Sequence, residues 1–304
     1  MITTFAPGRV EILGNHTDYN GGVVLSAALE LGITCFGQAS NDGGIVLQSD
    51  GMKPPVFRHS GEELLPNATW VDYPLGVVAM MMQEQHPIGS FACNFTSTLP
   101  IGAGLSSSAA LEVATAIFLG KTFGVSLPPL EVAKLCRRAE NEFVGVNCGL
   151  LDQVSSVFGR KDHFVFLDCR SEIINHIPLP PEYELLIVNS GVRHTLTGGE
   201  YNERREQCFA AAQILGVAEL RDATMAKVES TNMPDVVMRR AKHIVGENER
   251  VFSGIQALEE GRVEDFGNLL FSSHESSRVN FENSTAELDL LVELARGTEG
   301  VLGS

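Results

Sequence analysis

The chain has 304 residues and a formal charge of −16, with 44% hydrophobic and 20% charged residues. Such a composition is ordinary for a globular protein, and the length suffices for two domains or one large one. The acidity argues against a general binder of nucleic acid or anionic membrane, which are met by basic surfaces, while leaving room for a local site that takes a polyanionic small substrate.

The opening MITTFAPGRVEIL lacks the basic and apolar regions of a signal peptide, and the most apolar stretch, PLGVVAMMM, is too short to span a bilayer. Six cysteines at 35, 93, 136, 148, 169 and 208 show neither a C-x-x-C pair nor zinc-like spacing. They are expected as reduced, mostly buried thiols of a cytoplasmic protein.

The first informative segment is a polar loop, LGNHTDYNGG at 13–22. Its side chains suit a hydroxyl-rich ligand, or they cap their own backbone, as Asn, Thr and Asp often do in turns. Strand-like runs follow at 32–39, 44–49 and 91–96. Helical patterns cover 75–85 and 108–123, the second with Leu111, Ala114 and Phe118 on one face. Pro128 and Pro129 open a further helix that runs to about Phe143. HFVFLD at 163–168 and YELLIVNSGV at 183–192 read as strands separated by PLPPE, and the chain from Glu200 onward is largely helical. Strands and helices mix without a regular β-α-β alternation, which predicts an α+β architecture with a boundary near 170–182.

LPIGAGLSSSAALEVA at 99–114 leads a glycine pair and three serines into an amphipathic helix. Glycines let the backbone approach an anion, and the free N–H groups and dipole of the helix start attract it. The segment lacks the lysine of a P-loop and the third glycine of a dinucleotide fingerprint. A serine N-cap after a glycine turn is the simpler reading, and phosphate binding the chemical one. On the helix from Pro129, the spacing of Ala133, Cys136, Glu140 and Phe143 sets a carboxylate in line with an apolar stripe. Glu140 then either snorkels outward or meets a cation such as a metal. Asp152, after an apolar Leu-Leu pair, is a helix cap or a functional carboxylate, and Arg9 is a candidate partner for its charge.

Five segments in register, APGRVEILGNHTDYNGG, PIGAGLSSSAALEVA, RAENEFVGVNCGLLDQVSS, FLDCRS and YNERREQC, resemble the galactokinases of the GHMP kinase superfamily. The similarity continues through RRAKHIVGENERV, FGNLLFSSHESSR and ELDLLVELA, so it covers essentially the whole chain. The resemblance implies an enzyme that moves the γ-phosphoryl of ATP to the anomeric hydroxyl of galactose with the help of Mg²⁺. It implies a two-domain α+β fold with the site in the cleft: residues 1–175 as the N-terminal GHMP kinase domain, and 176–304 as a C-terminal one, incomplete. Asp152 matches the family's catalytic aspartate and Arg9 its paired arginine. Gly102, Ala103, Gly104, Leu105, Ser106 and Ser107 match the phosphate loop, and Ser108 and Glu140 the Mg²⁺ ligands. Trp70 matches an aromatic beside the adenine, and Asn15, His16, Asp18, Gly149 and Tyr201 fall at sugar-contact positions. The implied partners are the sugar and ATP, with neither nucleic acid nor membrane, and the protein is expected as a monomer.

Two departures from the family pattern carry expectations of their own. A second glycine-rich stretch normally follows the segment resembling GVLGS and packs beside the phosphate loop. The sequence stops at Ser304, which predicts an impaired enzyme. Galactokinases usually have glutamate where Asn15 stands, contacting the 6-hydroxyl of the sugar. Without that charge a C6 acid such as galacturonate becomes an alternative substrate. A sugar sensor without catalysis is the alternative from outside the enzymes, and the retained Glu140 and Asp152 weigh against it.

Overall fold

The computed structural model describes residues 1–60, 63–100, 102–192 and 199–304, the side chains of 199–201 excepted. The strands among the described residues are β1 (Ile2–Leu13), β2 (Val23–Ala39), β3 (Ile45–Ser49), β4 (Val56–His59), β5 (Phe91–Ser97), β6 (His163–Asp168) and β7 (Ile174–Pro178). The α-helices are α1 (Asp72–Gln83), α2 (Ser107–Phe123), α3 (Pro129–Arg138), α4 (Leu151–Phe158), α5 (Gly199–Leu215), α6 (Met225–Ser230), α7 (Asp235–Glu259), α8 (Val263–Ser276) and α9 (Ala286–Arg296). The α+β class expected from the sequence is the one found. The residues fall into two compact units, Met1–Val10 with Ala28–Gly159, and Glu11–Ala27 with Arg160–Ser304. Compactness thus groups 11–27 with the second half of the chain, unlike a single break after residue 175.

In the first unit the second half of β2 pairs antiparallel with β5, Cys35 opposite Phe95 and Gly37 opposite Cys93. β5 runs parallel to β3, and β4 closes that edge against β3. Alternation along β1 turns Thr4 and Ala6 inward. The helices α1, α2 and α3 cover one core in which Phe91, Phe118, Leu75, Met81, Val113 and Leu135 are buried. Phe91 and Phe118 are fully enclosed with ring centroids 5.8 Å apart, each side chain contributing about 2–3 kcal/mol by burial.

In the second unit the start of β2 pairs with β6, Val23 opposite Asp168 and Ser26 opposite Val165. β6 in turn pairs with β7. The 25-residue helix α7 buries Ala241, Ile244, Val245 and Val251, and Cys208, Ala211, Leu215 and Phe281 join its first three in a core. Arg221 clamps Asp168 with two bonds of 2.5 and 2.6 Å and donates a third, 2.9 Å, to the carbonyl of Gly21. These bonds hold the Asp168 carboxyl well below the usual carboxylate range.

Local structure departs from the sequence reading at three places. The stretch 183–192 forms no strand. No strand pairs with it among the described residues, so its backbone groups would have no ladder to join, and Leu186 is 85% exposed. The opening residues, with Pro7 and Gly8 in their midst, nevertheless form the long strand β1. Finally, the helix from Pro129 ends as α at Arg138 and continues as a wider π turn over Ala139–Val144. All six cysteines are free, four of them buried.

Candidate active site

The glycine-serine segment folds as a turn whose backbone only glycine enters easily: Gly102 and Gly104 have φ of 74° and 71°. It is tied to β1 twice, because the Arg9 amide donates to the Leu105 carbonyl at 3.1 Å and the Arg9 side chain to the Gly104 carbonyl at 2.9 Å. Ser106 stands at the N-cap of α2, but in a left-handed conformation and without capping the helix through its side chain. The simple cap reading of that serine therefore fails. The start of α2 has no side-chain cap from Ser106, and first-turn N–H groups of this kind suit an anion.

The Ser106 hydroxyl turns instead to Asp152, donating to Oδ2 at 2.5 Å. The other carboxylate oxygen of Asp152 receives Arg9, with Nε at 2.7 Å and a second guanidinium nitrogen at 2.6 Å. Arg9, the phosphate turn and Asp152 are thus one hydrogen-bonded assembly. Asp152 sits in the first turn of α4, where the helix dipole favours a negative charge.

Glu140 faces inward and is 6% exposed, as the apolar stripe suggested. Its carboxylate accepts from Gln153 Nε2 at 2.7 Å and from the Cys148 thiol at 3.3 Å, and the Ser108 hydroxyl also bonds it. Burial, and then the charge of Asp152, push the Glu140 carboxyl upward, and the bonds from Cys148, Ser108 and Gln153 pull it partly back. Fully buried Glu112 lies on the other side of Gln153, whose Nε2 reaches it at 3.2 Å, and burial pushes its carboxyl well up. The π turn gives Glu140 two backbone acceptor bonds, from Gly145 and Val146, both 3.0 Å. Asn141, on the same turn, accepts from the Cys148 amide at 2.9 Å, fixing the chain just before Gly149.

Two oxygen donors of hard character, the Ser108 hydroxyl and the Glu140 carboxylate, are therefore hydrogen-bonded to each other beside the phosphate turn. No group of three His, Cys, Asp or Glu that could hold a metal occurs among the described residues. A pair of oxygens fits Mg²⁺, which takes one or two protein ligands and completes its shell with phosphate and water.

The polar loop at 13–22 belongs to the second unit and is closed largely by itself. Thr17 Oγ lies 2.9 and 2.7 Å from the carbonyls of Gly14 and Val23, and Asn20 Nδ2 donates to the His16 carbonyl at 3.0 Å. Helix α7 supports it from below with three buried polar residues. Glu247 accepts the Gly14 amide at 3.1 Å, Asn248 accepts the Val23 amide at 2.9 Å, and His243 Nε2 donates to the Asn15 carbonyl at 3.0 Å. His16, at φ 63°, stacks on Phe281 at 4.5 Å between centroids, with Tyr19 Oη 3.0 Å from its Nδ1. Burial is the main cause that lowers His16 to a pKa of about 3 and His243 to about 4, so both rings are neutral at pH 7.

The structure thus brings Arg9, Asp152, Gly104, Leu105 and Ser106 together, and Ser108 with Glu140. Asn15, His16 and Asp18 share the polar loop. Trp70 lies in the core of the first unit at 7% exposure, its indole N–H on the Pro54 carbonyl at 2.8 Å and its ring edge-on to Phe95. The side chain of Tyr201 lies outside the described residues. Residues missed from the sequence include Gln153, Glu112 and Asn141 around Glu140, and His243, Glu247 and Asn248 beneath the loop. The signal for the latter three was polar side chains at spacings of four and one among the apolar residues of α7.

Residues 72–160 match the family described as GHMP kinases N terminal domain. The fold agrees with that of a mevalonate kinase at a TM-score of 0.61 and 17% identity, over 98% of this chain and 85% of that one. This fold is that of the GHMP kinase class. Residues 2–39 match the galactokinase galactose-binding signature. The crystal structure of Lactococcus lactis galactokinase complexed with galactose superposes at a TM-score of 0.95 and 31% identity, covering 99% of this chain and 81% of that one. The chain is 44% identical over 300 residues to the galactokinase of Thermotoga neapolitana, spanning 98% of itself and 84% of that relative. It is 38% identical over 313 residues to the galactokinase of Pasteurella multocida, covering 99% and 80%. The chain belongs to the galactokinase family.

Proposed function

We infer that the chain transfers the γ-phosphoryl group of ATP to the anomeric hydroxyl of galactose, giving galactose 1-phosphate and ADP. The observation that carries the reading is the Arg9–Asp152–Ser106 assembly built onto the glycine turn, in a chain of the galactokinase family. Asp152 accepts the hydrogen bond and then the proton of the attacking hydroxyl, which sharpens its oxygen as a nucleophile. Arg9 fixes the carboxylate through Oδ1 and brings positive charge to the phosphate turn through Gly104. The backbone of Gly102 to Ser107 and the start of α2 hold the triphosphate oxygens, so that positioning and charge do most of the work. Ser108 and Glu140 would hold Mg²⁺, which neutralises phosphate charge when bound.

His16 and Asp18 bind sugar hydroxyls, the neutral imidazole through the ring nitrogen that does not face Tyr19. Trp70 is the proposed neighbour of adenine, with Gly149 and Tyr201 completing the sugar contacts. The protein acts as a monomer in the cytoplasm; among the described residues no helix is long and apolar enough to cross a membrane. A coupled ADP assay with galactose, ATP and Mg²⁺, with the product identified as the 1-phosphate, tests the reading. Absence of galactose-dependent ADP release, with galactose still bound, would favour a sensor instead.

A further inference from the structure

Asn15 is held from three sides within the second unit. Its Nδ2 donates to Glu11 Oε2 at 2.9 Å, its Oδ1 accepts from Asn283 Nδ2 at 2.8 Å, and its carbonyl accepts from His243. An ionised carboxylate can only accept, so Glu11 fixes which end of the amide faces it. The side chain at position 15 is therefore committed to the protein at both ends of its amide, and the anion next to it is Glu11. Burial first, and then the charges of Asp18, Asp168 and Glu11, raise the thiol of Cys169, so Glu11 and Asp18 both act on one group beside the sugar loop. The negative charge missing at position 15 is not missing from the loop. It stands four residues upstream, on β1, with the asparagine bonded to it.

We propose that Glu11 is the specificity-determining carboxylate of the sugar loop, and that Asn15 is the residue that positions it. The proposal rests on the galactose-kinase reading above. Glu11 accepts a hydroxyl of the bound sugar through a charge-assisted bond, and its charge repels sugars that carry an acid group. The galacturonate alternative raised by Asn15 alone is thereby closed off, because the acid would meet Glu11.

The test compares the parent protein with Glu11→Gln, Asn15→Glu and the double variant Glu11→Gln/Asn15→Glu. Each is assayed for KM and kcat with galactose, galacturonate and ATP. The reading itself fails if the parent turns over no galactose, a result independent of the variants. Given an active parent, Glu11→Gln should raise the KM for galactose about tenfold or more. Its preference for galactose over galacturonate should fall by a similar factor, with the KM for ATP unchanged. Asn15→Glu sets two carboxylates against each other and should lose galactose affinity. The double variant restores an amide–carboxylate pair with the charge moved to position 15, and should recover most of the galactose preference. Glu11→Gln with unaltered galactose KM and unaltered sugar preference overturns the proposal. If Glu11→Gln does not fold, the double variant decides: folded and galactose-selective supports the proposal, folded and unselective overturns it.

Discussion

On the proposed reading, the loop at 102–108 and the loop at 14–22 meet their substrates by opposite means. The first works through its backbone: glycines in left-handed conformation, exposed N–H groups and a helix start. The second works through side chains, and those are braced by buried polar residues of α7 and by Asn283. A phosphate is recognised by charge and by donors pointing at one place, which any side chain permits if the dihedrals are right. Hydroxyls of a sugar must be told apart one by one, and that needs donors and acceptors fixed in orientation. The second loop therefore invests in a scaffold, while the first invests in conformation.

Substitutions should fail differently at the two places. Asp152→Asn, at the chemical centre tied to the first loop, should lower kcat by about 10²–10⁴-fold while calorimetric galactose affinity stays near the parent value. Near-normal turnover would remove Asp152 from its role. Glu247→Leu acts through the scaffold of the second loop. Glu247 is fully buried and accepts from Gly14, from Ser273 and, at 2.5 Å, from Arg250. Its removal leaves a half-buried guanidinium and an amide uncompensated, and should cost about 3 kcal/mol in denaturant unfolding.

Acid should reach the same scaffold. His16 and His243 have folded pKa values of about 3 and about 4, below the ordinary 6.5. On acidification the unfolded chain takes up protons first. Their contribution is thus fully present above pH 6.5 and is lost as pH falls towards 4 and then 3, by roughly 1.4 kcal/mol per pH unit per histidine. A melting-temperature series from pH 7 to 4 measures it, and His243→Gln should flatten the slope. Smallest is Gly104→Ala. A Cβ there meets nothing within 4 Å, so the cost is the left-handed backbone alone, about 1–2 kcal/mol. It should appear as a higher KM for ATP with little change in galactose binding. A larger effect on galactose than on ATP would blur the distinction between the loops.

Those loops were also unequally legible. The phosphate turn is a local signal, because glycines and serines at a helix start declare their backbone wherever they stand. Glu140 was legible as a carboxylate on an apolar stripe, and its partners Ser108, Gln153 and Cys148 needed the fold to appear. The bracing of the sugar loop by His243, Glu247 and Asn248 spans more than 220 residues of sequence and leaves no local trace beyond polar residues among apolar ones. Asn15 is the reverse case: its neutrality is visible in the sequence, whereas its bond to the carboxylate four residues away appears only in the fold. The strand expected at 183–192 fails for a related reason, since apolar content predicts a strand only where another strand receives it.

The left-handed serine at 106 has a consequence for anyone engineering this protein. At φ 53° and ψ 50° it occupies a conformation that glycine adopts with less strain. Ser106→Gly would relax the backbone while deleting the donor to Asp152. The strain relieved, about 1–2 kcal/mol, is offset by the lost bond to a charged group, about 1.5–3 kcal/mol, so a library screened for heat resistance should keep serine there.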